Sequence, residues 1–440
     1  MNKILLVLLL IGNCAFAQKD TTAIRVIGFN SEFSYKMLDQ NQDLRKVNIL
    51  LEEKKKGVIK KNSLIIGTSL ISIFDYQHSN TDSKFAYLMR HPTSKNQIGK
   101  DVSEAVIHSF QLSITATVNS WLSTHAEILY NPEQSFGSGS ITALCRNQLQ
   151  LRKGFVLFGN LDQFPIYAAI GKMDAPFGQT GSVNPFTNTT MWHAFGGLGY
   201  GAQIGFKKGG LHAKFMAVQG GAQFRAMHTP VEDGTNVPSR INNYVADLNY
   251  SFTVLENMSL LLGASYLQGS AYCQDFPVTH FSSCKENNPA FTYYGTLSIS
   301  QRLTIKGGFA ETMEVWKGTF NPTSPLDIFE ASKVSSLDIG AKYDLNQSDK
   351  IKYTISGEFS NFRAGADGAP WERQNQIVLG FASLINKSSK LFVEVFRTEG
   401  YAPLNFISGS NDFEPFPPGE THSLRNAKSM GIVVGAQISF

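Results

Sequence analysis

The chain has 440 residues and a formal net charge of +4, with 17% charged and 42% hydrophobic residues, 32 phenylalanines, 15 tyrosines, 38 glycines and four cysteines. So small a positive excess gives no electrostatic case for nucleic-acid or anionic partners. Beyond Ile11 no apolar stretch approaches the roughly 20 residues a membrane-spanning helix needs, so a chain this aromatic and this poor in charge reads as exported and β-rich.

Lys3 precedes an apolar run, Ile4 to Ile11, and Ala15-Phe16-Ala17 supplies small residues at a cleavage site. Residues 1–17 are therefore expected to be a signal peptide cut between Ala17 and Gln18. Cys14 raises a lipoprotein alternative, but that processing wants a small residue before the cysteine and Asn13 stands there.

Residues 18–61 form an N-terminal segment expected in the periplasm. Met37, Leu44 and Leu51 fall seven apart with Val47 between, and Glu52-Glu53-Lys54-Lys55-Lys56 closes the run. This predicts a short helix or coiled coil from Phe33 to Gly57, with a lone amphipathic helix or mobile tail as the alternative.

From Asn62 the period changes to two. About sixteen segments of roughly nine to thirteen residues alternate apolar with polar, which predicts an all-β fold: a transmembrane antiparallel up-and-down barrel over residues 62–440, touching outer-membrane lipid. Leu337, Ile339, Ala341 and Tyr343 oppose Asp338 and Lys342, and Tyr244, Ala246, Leu248, Tyr250 and Phe252 oppose Asp247 and Asn249. Connections alternate short and long. Short ones, such as 207–210, 253–257, 301–302, 345–350 and 385–389, would face the periplasm. Long ones, near 76–105, 176–198, 220–239, 269–290, 314–332, 361–372 and 399–429, would face outward. A soluble sandwich or propeller would lack this rhythm. The last strand puts Met430, Ile432, Val434, Ala436, Ile438 and Phe440 on one face, and its terminal aromatic resembles the end that the barrel-assembly machinery recognises.

Parity places Arg146, Arg152, Lys172, Asp174, Lys214, Asp247, Lys306, Asp338, Lys342, Lys352, Glu358 and Glu394 in the lumen. Both signs are present, so no ion preference follows. Residues 175–206 contain no Asp, Glu, Lys or Arg. A loop folded inward there would form a neutral, aromatic constriction of Phe177, Phe186, Trp192, His193 and Phe195, suited to stacking on a ligand, or would simply pack on the barrel wall.

Cys273 and Cys284 share one external loop in an oxidising compartment, and a disulfide clamp is the expectation, with metal binding as the competing reading. Cys145 has no partner and takes the lipid-side parity. Six histidines (His78, His91, His193, His228, His280 and His422) are assigned to external loops, with no spacing that selects a metal site. Neither a catalytic constellation nor a cofactor motif stands out, so the chain is not expected to be an enzyme or to bind a cofactor.

Residues 152–162 (Arg152-Lys153-Gly154-Phe155 onward), Gly171-Lys172-Met173-Asp174-Ala175-Pro176-Phe177-Gly178, Val183-Asn184-Pro185-Phe186, Trp192-His193-Ala194-Phe195-Gly196-Gly197 and Met216-Ala217-Val218-Gln219-Gly220-Gly221 resemble the LbtU-type siderophore porins. The resemblance implies a barrel of about sixteen strands with a periplasmic coiled-coil extension, and uptake of iron as its siderophore complex. The segment before the barrel is too small for the globular plug of an energised receptor, which favours a porin-like route. Three readings follow: a channel for a small solute such as a ferric siderophore, a surface-binding or adhesion barrel with a closed lumen, and, third, a barrel enzyme. Self-association is left open.

Overall fold

A computed structural model describes residues 27–39, 41, 45–85, 99–130, 149–219, 222–224, 227–229, 240–273, 286–346, 348–402 and 419–440. Sixteen strands form one closed barrel: β1 Ser63–Ser79, β2 Asp101–Thr117, β3 Leu122–Tyr130, β4 Gln150–Gly159, β5 Ile166–Asp174, β6 Leu198–Lys208, β7 Leu211–Gln219, β8 Ile241–Leu255, β9 Met258–Leu267, β10 Ala290–Ile299, β11 Leu303–Thr312, β12 Ser335–Asp344, β13 Ile351–Arg363, β14 Arg373–Ile385, β15 Ser389–Tyr401 and β16 Leu424–Ser439. Each pairs antiparallel with its sequence neighbour, and β16 returns to β1 to close the ring. Thr68 donates its N–H to the Phe440 carbonyl at 2.6 Å, and the Phe440 N–H returns to Thr68 at 3.0 Å, so pairing runs to the last residue. The expected strand number and alternating connections are present, with β1 extended to Ser79 and β2 beginning at Asp101, so His78 lies in a strand rather than a loop.

The alternation in sequence becomes two surfaces. Ile170, Ile204, Leu248, Ile339 and Leu379 are exposed on the outside, a burial pattern that only a bilayer satisfies. Tyr200, Tyr244 and Tyr293 lie toward the long-loop ends, and Phe252, Tyr343 and Tyr353 toward the short-turn ends. These are the two aromatic girdles of a barrel seated between water and lipid. No described helix is long and apolar enough to cross a membrane; the strands make the crossing.

Two helices precede the barrel, α1 Ser31–Leu38 and α2 Lys46–Lys55. Asn30 caps α1, its side-chain oxygen accepting from the Phe33 N–H at 3.0 Å. Lysines 54 and 55 sit in the last turn of α2, where cations complement the helix dipole. Gly57, at φ +72°, ends it in the left-handed region that a side chain disfavours. The chain leaves helical geometry at both Asp39 and Arg45, so the continuous heptad expected across Leu44, itself outside the described residues, is corrected to two short helices.

The segment is expected from its sequence on the periplasmic side, with plugging of the lumen left open; its helices lie inside the barrel. Phe33, Met37, Val47, Leu50 and Leu51 form one buried cluster with the inward-facing Phe155, Leu157, Tyr167, Ala169 and Met173 of β4 and β5. Burying each large apolar side chain is worth roughly 1.5–3 kcal/mol, and this inner wall offers the apolar surface that water below the barrel does not. A short strand, Ile27–Gly28, pairs parallel with Leu64–Ile65 at the short-turn end of β1. At the other end of the segment, Lys54 donates to the Gly159 carbonyl at 3.2 Å. The segment therefore enters and leaves at the short-turn rim as a helical hairpin. Tyr167 braces it: its ring lies where a side chain on Gly205 would stand, 2.2 Å from an added Cβ, and its hydroxyl meets Asn48 of α2 at 3.4 Å.

Candidate functional site

Six helix-forming residues, α3 Thr190–Phe195, lie in the β5–β6 connection, and this uncharged loop folds into the lumen, a placement the sequence leaves conditional. Buried carboxylates on the opposite wall hold it there. Glu394 of β15 accepts the N–H groups of Phe186 at 2.7 Å and Thr187 at 3.1 Å, together with the Thr187 hydroxyl. Glu358 of β13 accepts from the Val183 N–H at 3.3 Å, the Asn184 amide at 3.1 Å and the Ser182 hydroxyl. Lys390 of β15 donates to the Pro185 carbonyl at 2.6 Å. A loop without charges of its own is thus fastened by charged acceptors and donors of the wall, the stronger kind of hydrogen bond.

The loop aromatics are divided between these roles. Phe177 and Phe195 lie 6.0 Å apart by ring centroids, and Phe195 continues to Tyr272 at 5.6 Å and thence to Trp316 at 5.2 Å. Phe186 stacks on Phe392 at 5.2 Å and meets His108 edge-on. His193 is buried against Trp192. Phe177, Phe186 and Phe195 therefore pack the loop to the wall, while Trp192 borders a cavity of about 40 Å³ with Glu127, Arg152, Lys153 and Asp174.

The hairpin meets the loop at the centre of the lumen. Arg45 donates to the carbonyls of Phe177 and Gly178, both at 3.0 Å, and the Asn41 amide donates to the Asn184 carbonyl at 2.9 Å. At the rim, Glu52 of α2 pairs with Lys207 of β6. Lys46 is buried among wall charges; burial, with repulsion from Lys153, pushes its ammonium down to about 8.

Most lumen residues inferred from parity do face inward. Arg152 pairs with Glu127 at 3.4 Å, Lys153 with Asp174 at 2.9 Å, Lys214 with Asp247 at 2.8 Å and Lys352 with Asp344 at 3.1 Å. Asp247 also accepts from Ser265 and Tyr294, each at 2.6 Å. Lys306, Asp338, Glu358 and Glu394 are buried on the inner face. Lys172 is a correction: it faces outward, its ammonium 5.6 Å over the ring of the exposed Tyr200 and 3.1 Å from the Leu151 carbonyl. Tyr167, Ala169 and Met173 take the inward positions of β5, and Asp174, the last residue of that strand, reaches Lys153 of the inner face. Lys172 can lie along apolar surface near the external rim while its head reaches water. Arg146 and Cys145, like Ala17 and Gln18, lie outside the described residues. So does Cys284, which leaves its pairing with Cys273 a proposal.

Parity missed four important positions. Lys153 shares the inward phase of Phe155 and Leu157, whereas Arg152 is the extra residue of β4 opposite the Glu127–Ile128 step and reaches the lumen from that bulge. Lys390 lies on a regular inward position that alternation reaches. Asp39 and Arg45 belong to the hairpin, and no strand period applies to them.

A larger cavity, about 330 Å³, opens on the short-turn half of the lumen between α1, the inward loop and β11–β15. Lys306, Lys342, Lys352 and Lys390 line it against Asp39 and Asp344. Lys390 reaches Asp39 at 3.5 Å. Burial alone would raise the Asp39 carboxyl, but Lys390, the Asn41 N–H, Lys46 and Lys342 outweigh it and hold it below the ordinary carboxylate value.

Fold and lumen together define a sixteen-stranded transmembrane barrel of the porin type, narrowed by an inward loop. Barrels of this class are bacterial outer-membrane proteins, and that membrane is where this chain resides. No family model matches the chain. A UPF0422 protein of Coxiella burnetii is 27% identical over 191 residues, 41% of this chain, and the match spans only 36% of that protein's length. Among solved structures, the anion-selective porin from Comamonas acidovorans is similar at TM-score 0.50 and 12% identity, over 86% of this chain and 99% of that one. Pseudomonas putida OprB is similar at 0.51 and 8%, over 85% and 94%. At such identities the shared property is the fold.

Proposed function

We propose that the chain is a porin-like outer-membrane channel for a small solute, narrowed by the β5–β6 loop and closed from the periplasmic side by the α1–α2 hairpin. The observation that carries this reading is the closed sixteen-stranded wall with charged side chains of both signs turned inward, a barrel size that leaves an aqueous passage unless something fills it. What fills it among the described residues is the short α1–α2 hairpin. Ferric siderophore as the solute rests on the family resemblance and on the lysine excess of the larger cavity, which suits an anionic complex.

The contacts of Arg45 and Asn41 with the loop also favour a second reading, a barrel whose lumen stays shut while its long loops engage a partner. Single-channel conductance of the refolded mature chain in a planar bilayer, with and without ferric siderophore on one side, separates the two. Open steps that the siderophore blocks support uptake. Silence from both the full chain and a variant lacking the hairpin, with both folded and heat-modifiable, would sink the channel.

A further inference from the structure

The 330 Å³ cavity holds far more than the roughly 10–15 Å³ one water needs. Its four lysines face two aspartates, 4 − 2, an excess of two positive charges. Asp344 is engaged by Lys352 at 3.1 Å and by the Thr354 hydroxyl at 2.7 Å. Asp39 is shared: its carboxylate lies 3.5 Å from Lys390, and its own carbonyl accepts from Lys46 at 3.2 Å. Lys342 opens onto the same space and forms no ion pair among the described residues. Lysine ammonium groups are compact point charges that take carboxylate and phosphate oxygens alike, without the fixed fork of arginine.

We propose that this cavity binds a small multivalent oxyanion at Lys342 and Lys390, and that Asp39 is its built-in competitor. The carboxylate of Asp39 occupies one side of the lysine cluster while the hairpin is docked. An oxyanion that reaches Lys342 draws Lys390 from Asp39 and so loosens the end of α1 where it meets the wall. The inference deepens the channel reading by naming a solute class, and it rests on that reading only for the claim that the anion passes through.

The test is calorimetric titration of the refolded full chain in detergent with citrate and with inorganic phosphate. Both probes present multivalent oxyanions; binding of citrate alone assigns a carboxylate ligand, and binding of phosphate alone an inorganic one. Asp39→Asn is expected to tighten binding by roughly threefold to tenfold, and Lys342→Gln to weaken it by a similar factor. Lys342→Gln breaks no ion pair, so it folds and remains informative even if Asp39→Asn does not. No heat with either probe, unchanged affinity in Lys342→Gln, or weaker binding in folded Asp39→Asn would each overturn the proposal. A barrel silent in bilayers that still binds citrate with this mutational pattern removes the channel and keeps the site.

Discussion

The guanidinium of Arg45 lies 3.0 Å from the carbonyl oxygen of Phe177, so the hairpin rising from one rim and the loop descending from the other are joined inside the barrel. A hydrogen bond from a charged donor is worth about 1.5–3 kcal/mol. Arg45→Ala is expected to raise the frequency of open steps in a planar bilayer, and removing residues 27–59 to raise it further. Equal conductance in all three proteins would show that the hairpin does not close the path.

Glu394 is the acceptor for two backbone N–H groups and a hydroxyl of the loop. Glu394→Ala leaves buried donors without a partner, at roughly 1–3 kcal/mol for each N–H. Glu394→Gln keeps one acceptor oxygen and should lose less. Urea unfolding followed by tryptophan fluorescence is expected to rank the proteins wild type, Gln, Ala; an Ala variant as stable as wild type would mean the loop is held elsewhere.

Lys46 gives the docked hairpin a pH dependence. Its ammonium is pushed from its ordinary 10.5 down to about 8, so between those values the unfolded chain binds more protons than the folded one. Stability therefore rises as pH climbs from about 8 toward 10.5, and the gain is absent below that window. Lys46→Met should be more stable than wild type at neutral pH, with a smaller slope across the window. Denaturant titrations of the two proteins near both ends of the window measure the difference.

Cys273 stands where the described part of the β9–β10 loop ends, and Cys284 falls beyond it. Peptide mapping without reductant is expected to recover the two cysteines in one linked fragment, and mutation of both to serine to cost about 2–3 kcal/mol of loop stability. Recovery of both as free thiols would remove the clamp.

Phe440 pairs through its backbone with Thr68 and turns its ring outward. Deleting it is expected to lower the amount of heat-modifiable barrel in the outer membrane while leaving export intact. Full assembly without it would mean that the terminal aromatic is not a recognition element.

Alternation made the strands legible because every strand meets lipid on one side and the lumen on the other, and the sign of each side chain follows from a period of two. Asp247, Asp338, Lys306, Glu358 and Glu394 could therefore be placed inward from sequence. What parity could not supply was their roles. Glu358 and Glu394 look like charges of a pore, yet their partners are residues 182–187, more than 170 positions away, and no local pattern encodes such a meeting. Lys172 and Lys153 follow the regular phases of Ile170 and of Phe155; they were misread or missed because Asp174 at the strand end and Arg152 at the bulge set the phase instead. The heptad spacing in the N-terminal segment correctly marked a helical, partly apolar stretch but was silent on its partner.

The sequence by itself determined the barrel: its strand number, its rhythm of turns and loops, its lipid-facing and inward faces, and an uncharged loop able to enter the lumen. Only the tertiary structure decided that this loop is fastened by wall carboxylates, that the N-terminal helices sit inside the barrel, and that four lysines from β11, β12, β13 and β15 converge beside Asp39. The physical reason is range. Alternation is a property of residues two apart and survives in any window, whereas the contents of a closed barrel are set by contacts between strands far apart in the chain, made only when the ring closes.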